Sequence, residues 1–331
     1  AGRVPDLTPG LRELAPELYQ LAMGIPGVEF PADPIEDEPD FSSALAAFEA
    51  QAPVRILFDN GAGSPTPGAP VPAFEQSFAR FPLPGTRAVS WYLGRDGTLT
   101  GSAPGSRGVD QFTWSPRARP PTDFTGNTGA GGLWGTAPSY HWTQNPAGTA
   151  LSYITAPLQS NTVVVGAGAL HAWIKSSTPD VDLQVTISEV RPDGDETYVQ
   201  SGWLRASERK LDVAQSTLLE PVLSERQADA APLPHGRFTE VVVPLYYEGH
   251  VYRAGSRIRI TISAPGGDQP TWAFSELTPN RRATVMLADS RAMPSRIILP
   301  VVPGVAVPTA LPPCPSLRGE PCRQYVPLVN R

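Results

Sequence analysis

Lysine is almost absent from this sequence: Lys175 and Lys210 are the only two, and arginine carries nearly all the positive charge. Acidic residues are in excess, giving a formal net charge of −6 and a pI near 5.3. That balance argues against a nucleic-acid partner, whose phosphates call for a basic surface. No apolar run approaches the ~20 residues of a membrane-spanning helix, so no membrane span is expected. No Gly-x-Ser-x-Gly elbow and no His-Gly-Gly-Gly run occurs, so the usual marks of a nucleophilic serine and its oxyanion hole are missing. Ser64, in Gly-Ala-Gly-Ser, comes nearest but lacks a flanking strand–turn–helix pattern. No internal repeat of fixed period is present.

Histidine is scarce as well. His141, His171, His235 and His250 have no second histidine or carboxylate at the short spacing of a metal site or proton relay. His171 lies in a strand pattern and reads as a sheet-face residue; His250 precedes a turn that its ring is expected to order. Asp59 follows a short apolar run and could serve as a triad carboxylate, but Asp59-Asn60-Gly61 is also an ordinary turn signal, and no nucleophile precedes it. Asp180-Val181-Asp182 and Asp193-Gly194-Asp195 suggest calcium only as a secondary reading, because neither supplies enough ligands and Asp193-Gly194 is a hairpin signal. No catalytic residue, cofactor site or metal site is therefore assigned. The two cysteines, Cys314 and Cys322, flank a loop bearing proline and glycine and have no histidine within reach; a disulfide is expected. Such a bond points to an oxidising, extracellular or cell-envelope location and leaves a cytoplasmic one open. The chain opens Ala-Gly-Arg-Val-Pro without a basic and apolar leader, so an exported form is expected to have lost one or to carry it before Ala1.

Proline and glycine, by contrast, make up about a fifth of the residues against a usual ~12%. The prolines are spread between apolar segments, which indicates turns and long ordered loops. Helical periodicity is confined to Leu7, Leu11, Leu14, Leu18 and Leu21, over residues 7–25, and to Phe41, Leu45 and Phe48, over 40–49. Val54–Phe58 reads as a strand and 64–84 as loop. Strands are then predicted at 88–94, 150–156, 163–175, 181–190, 197–206, 239–247, 257–263, 283–287 and 296–301. Residues 98–149 read as a long loop packed down by Trp114, Trp134 and Trp142. The fold class is mainly β, a two-sheet sandwich. In the strand after the Arg253-Ala254-Gly255 turn, Ile258, Ile260 and Ile262 alternate with Arg257, Arg259 and Thr261, so one apolar and one polar face are expected. Trp91, Trp173, Trp203 and Trp272 sit in or beside strands, where core packing explains them better than sugar stacking.

Several of these segments carry a resemblance. Pro179–Gly194, Gly202-Trp203-Leu204-Arg205-Ala206 and His250–Ile258 are similar to signatures of the C-terminal jelly roll of the cocaine-esterase and X-Pro dipeptidyl-peptidase family of α/β-hydrolases. Pro294–Pro300 resembles that family's closing strand. Pro53–Phe58 and Trp91–Gly97 resemble its crossing from hydrolase domain to jelly roll. The resemblance implies a galactose-binding-like jelly roll over residues 85–331, ending in a cysteine-containing tail. Residues 1–84 would be the helical tail and last strand of a hydrolase domain. It also implies that the Ser-Asp-His triad lies in a catalytic segment upstream, which would be the partner of this chain and the site of ester or peptide substrates. On this view the chain is the non-catalytic portion of a dipeptidyl-peptidase or esterase. A stand-alone module binding carbohydrate or cell-surface polymer is the alternative.

Overall fold

The computed structural model describes residues 8–30, 32–35, 37–66, 69–105, 108–119, 142–266, 281–314 and 322–330. Leu7, Trp134, His141 and Trp272 lie outside them. Two helices come first, α1 (Thr8–Met23) and α2 (Phe41–Glu49). Asp40 caps α2, its Oδ1 accepting the amide of Ser43 at 2.8 Å. Strands follow: β1 (Val54–Asn60), β2 (Pro72–Phe78), β3 (Arg87–Gly94), β4 (Thr98–Thr100), β5 (Val109–Trp114), β6 (Ala150–Thr155), β7 (Thr162–Ser176) and β8 (Asp182–Val190). The rest are β9 (Asp195–Arg205), β10 (Thr239–Tyr252), β11 (Arg257–Ser263), β12 (Ala283–Ser290), β13 (Met293–Pro294), β14 (Arg296–Val301) and β15 (Cys322–Gln324). No described helix is long and apolar enough to cross a membrane.

Two stretches expected as loop contain strands. Residues 64–84 include β2, which pairs antiparallel with β1 and stacks Phe74 on Phe58 at 4.9 Å between ring centroids. Pro72 is tolerated because it opens the strand. Residues 98–149 include β4 and β5; β5 pairs with β12, and Trp114 is a core residue whose Nε1 donates to the Asp182 carbonyl at 2.6 Å.

Hydrogen bonding runs from β13 through β12, β7, β14, β3, β4, β6, β11, β8 and β9 to β15, with β10 on β7 and β5 on β12. The path folds over on itself. Leu170, Ile174, Val241, Val243, Val285, Leu287, Ile297 and Leu299 from β7, β10, β12 and β14 share one buried cluster with Leu151, Leu183, Val185, Ile187, Leu204, Ile258, Ile260 and Ile262 from β6, β8, β9 and β11. This is the sandwich core. A second cluster clamps the β1–β2 ribbon on the outside, through Phe58, Val163, Val165 and Val251.

The signature glycine of Gly-Trp-Leu-Arg-Ala has a steric reason. A Cβ on Gly202 would lie 2.0 Å from the Pro244 carbonyl oxygen, where β9 passes β10. Backbone on both sides has no rotamer to yield. Gly202→Ala is therefore expected to cost about 3 kcal/mol, the upper end for overpacking, read as a lowered urea midpoint with the m-value unchanged.

The half-exposed strand expected at 257–263 is instead a buried central strand, between β6 and β8. Its apolar face meets the core as anticipated, but Arg259, Thr261 and Ser263 on the other face are buried too. The cover comes from the C-terminal tail. β15 pairs with β9, Arg259 lies 5.2 Å from the Tyr325 ring centroid, and Asn330 Oδ1 accepts the Ser152 amide at 2.9 Å. Arg323 in turn stacks on Trp142 at 3.6 Å. Cys314 and Cys322 form a disulfide at the base of this strap, with a Cα separation of 5.9 Å.

Burial makes charge pairing obligatory there. Glu196 accepts from Arg259 Nη1 at 2.9 and 3.0 Å, from Ser188 Oγ at 2.6 Å and from Arg323 Nε at 3.0 Å. Arg259 Nε reaches Ser152 Oγ at 2.7 Å.

Candidate functional site

The turn that links β10 to β11 closes over a second buried polar network. Its sequence, Arg253-Ala254-Gly255-Ser256, places Gly255 at φ +87°, a left-handed conformation that favours glycine. Arg253 is thereby aimed back beneath the β1–β2 ribbon. Its Nη2 donates to Asp59 Oδ2 at 2.5 Å and to the Ala310 carbonyl at 3.2 Å. Asp59 is thus a buried partner of arginine at the end of β1, with φ +47°. It holds the ribbon to the sandwich.

His250 Nε2 lies 2.8 Å from Glu189 Oε2, across the layer from β8. The other Glu189 oxygen accepts the Arg253 amide at 3.4 Å. The His250 ring thus reaches the turn through Glu189, which holds the Arg253 amide. Burial works to raise the Glu189 carboxyl, but the hydrogen bond and charge of His250, with the Arg253 amide, hold it below the usual range. Histidine and carboxylate here have the look of two-thirds of a triad. Ser256, the serine beside them, is wholly buried and stands on the glutamate side of the pair, so among the described residues it gives this dyad no reachable nucleophile.

One carboxyl in the network stands apart. β10 carries a bulge between Leu245 and Glu248, where its register against β7 shifts. A bulge of this kind re-aims side chains. Both Glu248 carboxyl oxygens are buried and interact with the Tyr252 phenol and the His250 ring. Burial pushes its pKa up to about 7, against the opposing pull of His250 and Tyr252. The Tyr252 phenol, also buried and pushed well up by burial and by the Glu248 and Glu189 carboxylates, lies in the same network.

Glu248 lines a cleft of about 180 Å³, together with Asn60, Tyr198, Gln200, Tyr247 and His250. Its wall is fixed by hydrogen bonds: Gln200 Nε2 donates to the Tyr247 carbonyl at 2.9 Å, and the Tyr247 hydroxyl to Glu220 Oε1 at 2.7 Å. Beside the cleft, exposed Phe81 packs on Tyr247 at 5.8 Å, and Trp203 meets exposed Tyr246 edge-on at 5.5 Å.

The remaining sequence candidates fall elsewhere. Ser64 Oγ accepts the Thr66 amide at 3.1 Å, an ordinary turn contact. His171 Nδ1 lies 3.3 Å from Glu240 Oε1; burial lowers its pKa, and Glu240 only partly opposes this. His235 is exposed in a turn beside Gly236. The aspartates weighed for calcium are engaged by other groups. Asp182 takes Arg205 at 2.8 Å, Asp193 takes Arg191 at 2.7 Å, and Asp180 accepts the Ser207 amide at 2.8 Å. Asp195, Cys314 and Cys322 approach one another, but the two sulfurs are bonded together and offer no thiolate. Glu189 and Glu248 escaped sequence reasoning. The one available signal was Tyr246-Tyr247-Glu248, which breaks the alternation of β10.

A sandwich with a tail-covered outer face and a ribbon pinned by Arg253 is the setting in which comparison with known proteins becomes decisive. The family described as the X-Pro dipeptidyl-peptidase C-terminal non-catalytic domain matches residues 46–293. This chain belongs to that family. The match takes in β1 to β12 and the His250–Ser256 turn, so the network just described is part of the family domain. Proteins named as serine esterases in Mycobacterium bovis and Mycobacterium tuberculosis are each 29% identical to it over 231 residues. That is 67% of this chain and 35% of theirs, so the chain spans about a third of the length of these curated relatives. Among solved structures, a CocE/NonD family hydrolase from Staphylococcus aureus superposes with a TM-score of 0.53 at 18% identity, over 69% of this chain and 39% of that one. An aminopeptidase from a marine-sediment Thaumarchaeota archaeon gives 0.51 at 18% identity, with the same coverage of each. These likenesses establish the shared β-sandwich fold.

Proposed function

We propose that this chain is the C-terminal, non-catalytic portion of a serine hydrolase of the X-Pro dipeptidyl-peptidase or acyl-esterase type. It packs against an α/β-hydrolase segment that holds the Ser-Asp-His triad and helps to wall the active site. In this reading residues 1–84 are the tail of the catalytic domain and 85–331 the sandwich with its disulfide-bearing strap. The disulfide is compatible with action outside the cell or in its envelope.

The observation that carries the reading is exposed apolar surface on both helices. Leu14, Leu18 and Leu21 of α1 are 51–62% exposed, Phe41 and Phe48 of α2 more than 60%, and no residue of α2 is buried. Fully burying such a side chain is worth about 1.5–3 kcal/mol, so a monomeric surface gains nothing by presenting this stripe. Reconstitution provides the test. The 331-residue chain alone is expected to leave a chromogenic short-chain ester and an X-Pro anilide unhydrolysed. Joined to the upstream segment, it is expected to give an activity abolished by serine-directed reagents. Leu14→Ser, Leu18→Ser and Leu21→Ser together should weaken that association at least ~10-fold while leaving the chain's own unfolding midpoint in place. Association indifferent to the triple change would count against the docking face.

A second reading, a carbohydrate- or surface-binding module, draws on the exposed rings of Phe81, Tyr246 and Tyr247. Tight retention of the chain alone on polysaccharide, lost in Tyr247→Ala, would favour it.

A further inference from the structure

We infer that the sandwich carries a docking face of its own for the α/β-hydrolase segment, centred on Tyr246 and Tyr247 and continued by Leu57 and Phe81. It rests on the function proposed for the chain and places a second contact on the sandwich, apart from the two helices. The bulge in β10 makes the face. In a regular strand one of two consecutive side chains points inward. Here the register against β7 skips from Leu245 to Glu248, and Tyr246 and Tyr247 are both exposed, at 50% and 57%. Leu57 and Phe81 beside them are exposed as well. The rings are held in place. Tyr247 packs on Phe81 at 5.8 Å, donates its hydroxyl to Glu220 and accepts Gln200 Nε2 at its carbonyl; Tyr246 meets Trp203 at 5.5 Å. Rings already ordered lose little freedom on binding, and tyrosine is a common anchor of protein interfaces.

Position selects the occupant. Leu57 and Phe81 belong to residues 1–84, the proposed tail of the hydrolase domain, whereas Tyr246 and Tyr247 belong to the sandwich. The cleft between them is lined by Leu57 and Asn60 of β1 on one side, and by Gln200 of β9 with Tyr247 and His250 of β10 on the other. It lies on the seam where the ribbon, pinned by Asp59 to Arg253, crosses onto β10. A hydrolase body reaches the sandwich through that ribbon, so the seam is where the two meet. The face lies within residues 46–293, the span of the family domain, whereas α1 precedes that span. About two thirds of the length of the curated relatives falls outside their match to this chain, enough for such a body. A saccharide fits less well: the planes of Tyr247 and Phe81 are tilted by 52°, and those of Tyr246 and Trp203 by 62°, so neither pair offers a flat platform. A protein surface that sets apolar side chains against the tyrosines and polar groups against Asn60 and Gln200 has the core-and-rim pattern this face requires.

The test is hydroxyl-radical footprinting of the 331-residue chain, alone and joined to the upstream segment, with ester hydrolysis by the joined protein read in parallel. On joining, oxidation of Tyr246, Tyr247 and Phe81 is expected to fall toward the level of Tyr252, which is 0% exposed in the chain itself. Tyr246→Ser and Tyr247→Ser together should weaken association of the two segments at least ~10-fold and leave the chain's own urea midpoint in place. The outcomes separate this face from the function it rests on. A joined protein that hydrolyses the ester while both tyrosines stay as reactive as in the chain alone would overturn the face and leave the proposed function standing. No activity and no association would remove both. Self-association of the chain, or its retention on polysaccharide, abolished by the double variant would assign the face to a second copy or to a glycan and likewise overturn the inference.

Discussion

Glu196→Gln is expected to destabilise the chain by about 3–5 kcal/mol, the usual cost of removing one partner from a buried ion pair. Glu196 is 0% and Arg259 1% exposed, and Arg323 reaches the same carboxylate. Glutamine keeps the volume but leaves two guanidinium charges facing a neutral amide inside the sandwich. Replacing Glu196 and Arg259 together by apolar residues of similar size should recover much of the loss, because the pair's attraction mainly offsets its own desolvation. The exposed pair Arg55–Glu75, at 2.6 Å, serves as the control. Glu75→Gln should cost no more than about 1 kcal/mol despite the short distance. Urea midpoints of the three variants decide the matter; equal losses from Glu196→Gln and Glu75→Gln would show that the strap does not seal this pair from water. The loss should also expose the strap, making the bonds near Arg323 the first to yield to protease.

Stability is expected to fall as pH rises from about 4.5 to 8, the reverse of ordinary acid denaturation. Burial raises Glu248 from 4.5 to about 7, and burial with the charge of Asp110 raises Asp289 from 3.8 to about 6. Between the unfolded and folded values the native state holds protons that the unfolded chain has released. Each group therefore removes stability as pH climbs through that window. At 1.36 kcal/mol per pH unit the limit is about 3 kcal/mol per group, and solvent relaxation trims it to about 2. Glu189 and Asp193, both held low, act with the opposite sign, their contribution lost only as pH falls below the usual carboxylate range, and His171, lowered by burial, offsets part of the decline near its own range. Glu248→Gln should therefore flatten the decline between pH 5 and pH 8 and stabilise the chain at pH 8, with little effect at pH 5. Parallel curves for the two proteins would contradict a buried Glu248 held above its usual range.

Much of this fold was legible in the sequence because its signals are local. Ile258, Ile260 and Ile262 alternate along β11, and Leu14, Leu18 and Leu21 repeat at helical spacing along α1. The missing information was long-range. Nothing within 257–263 reports that Tyr325 and Arg323 return from the tail to cover its polar face, so Arg259 read as a solvent-facing residue. Likewise His250 finds its carboxylate in Glu189, 61 positions away, a spacing that no short motif contains. Asp59 read as a turn residue more readily than as a triad acid, and its place as the partner of Arg253 depends on the packing of β1 over β10. The β2 strand was hidden by proline, which elsewhere in the chain does mark loops.

On the proposed function, the serine-hydrolase chemistry lies outside these 331 residues. The most direct measurement is titration of the purified chain with a fluorophosphonate, followed by intact mass. No adduct is expected on any serine, Ser64 and Ser256 included, under conditions that label the chain joined to the proposed catalytic segment stoichiometrically. A single serine of this chain phosphonylated to one equivalent would contradict it.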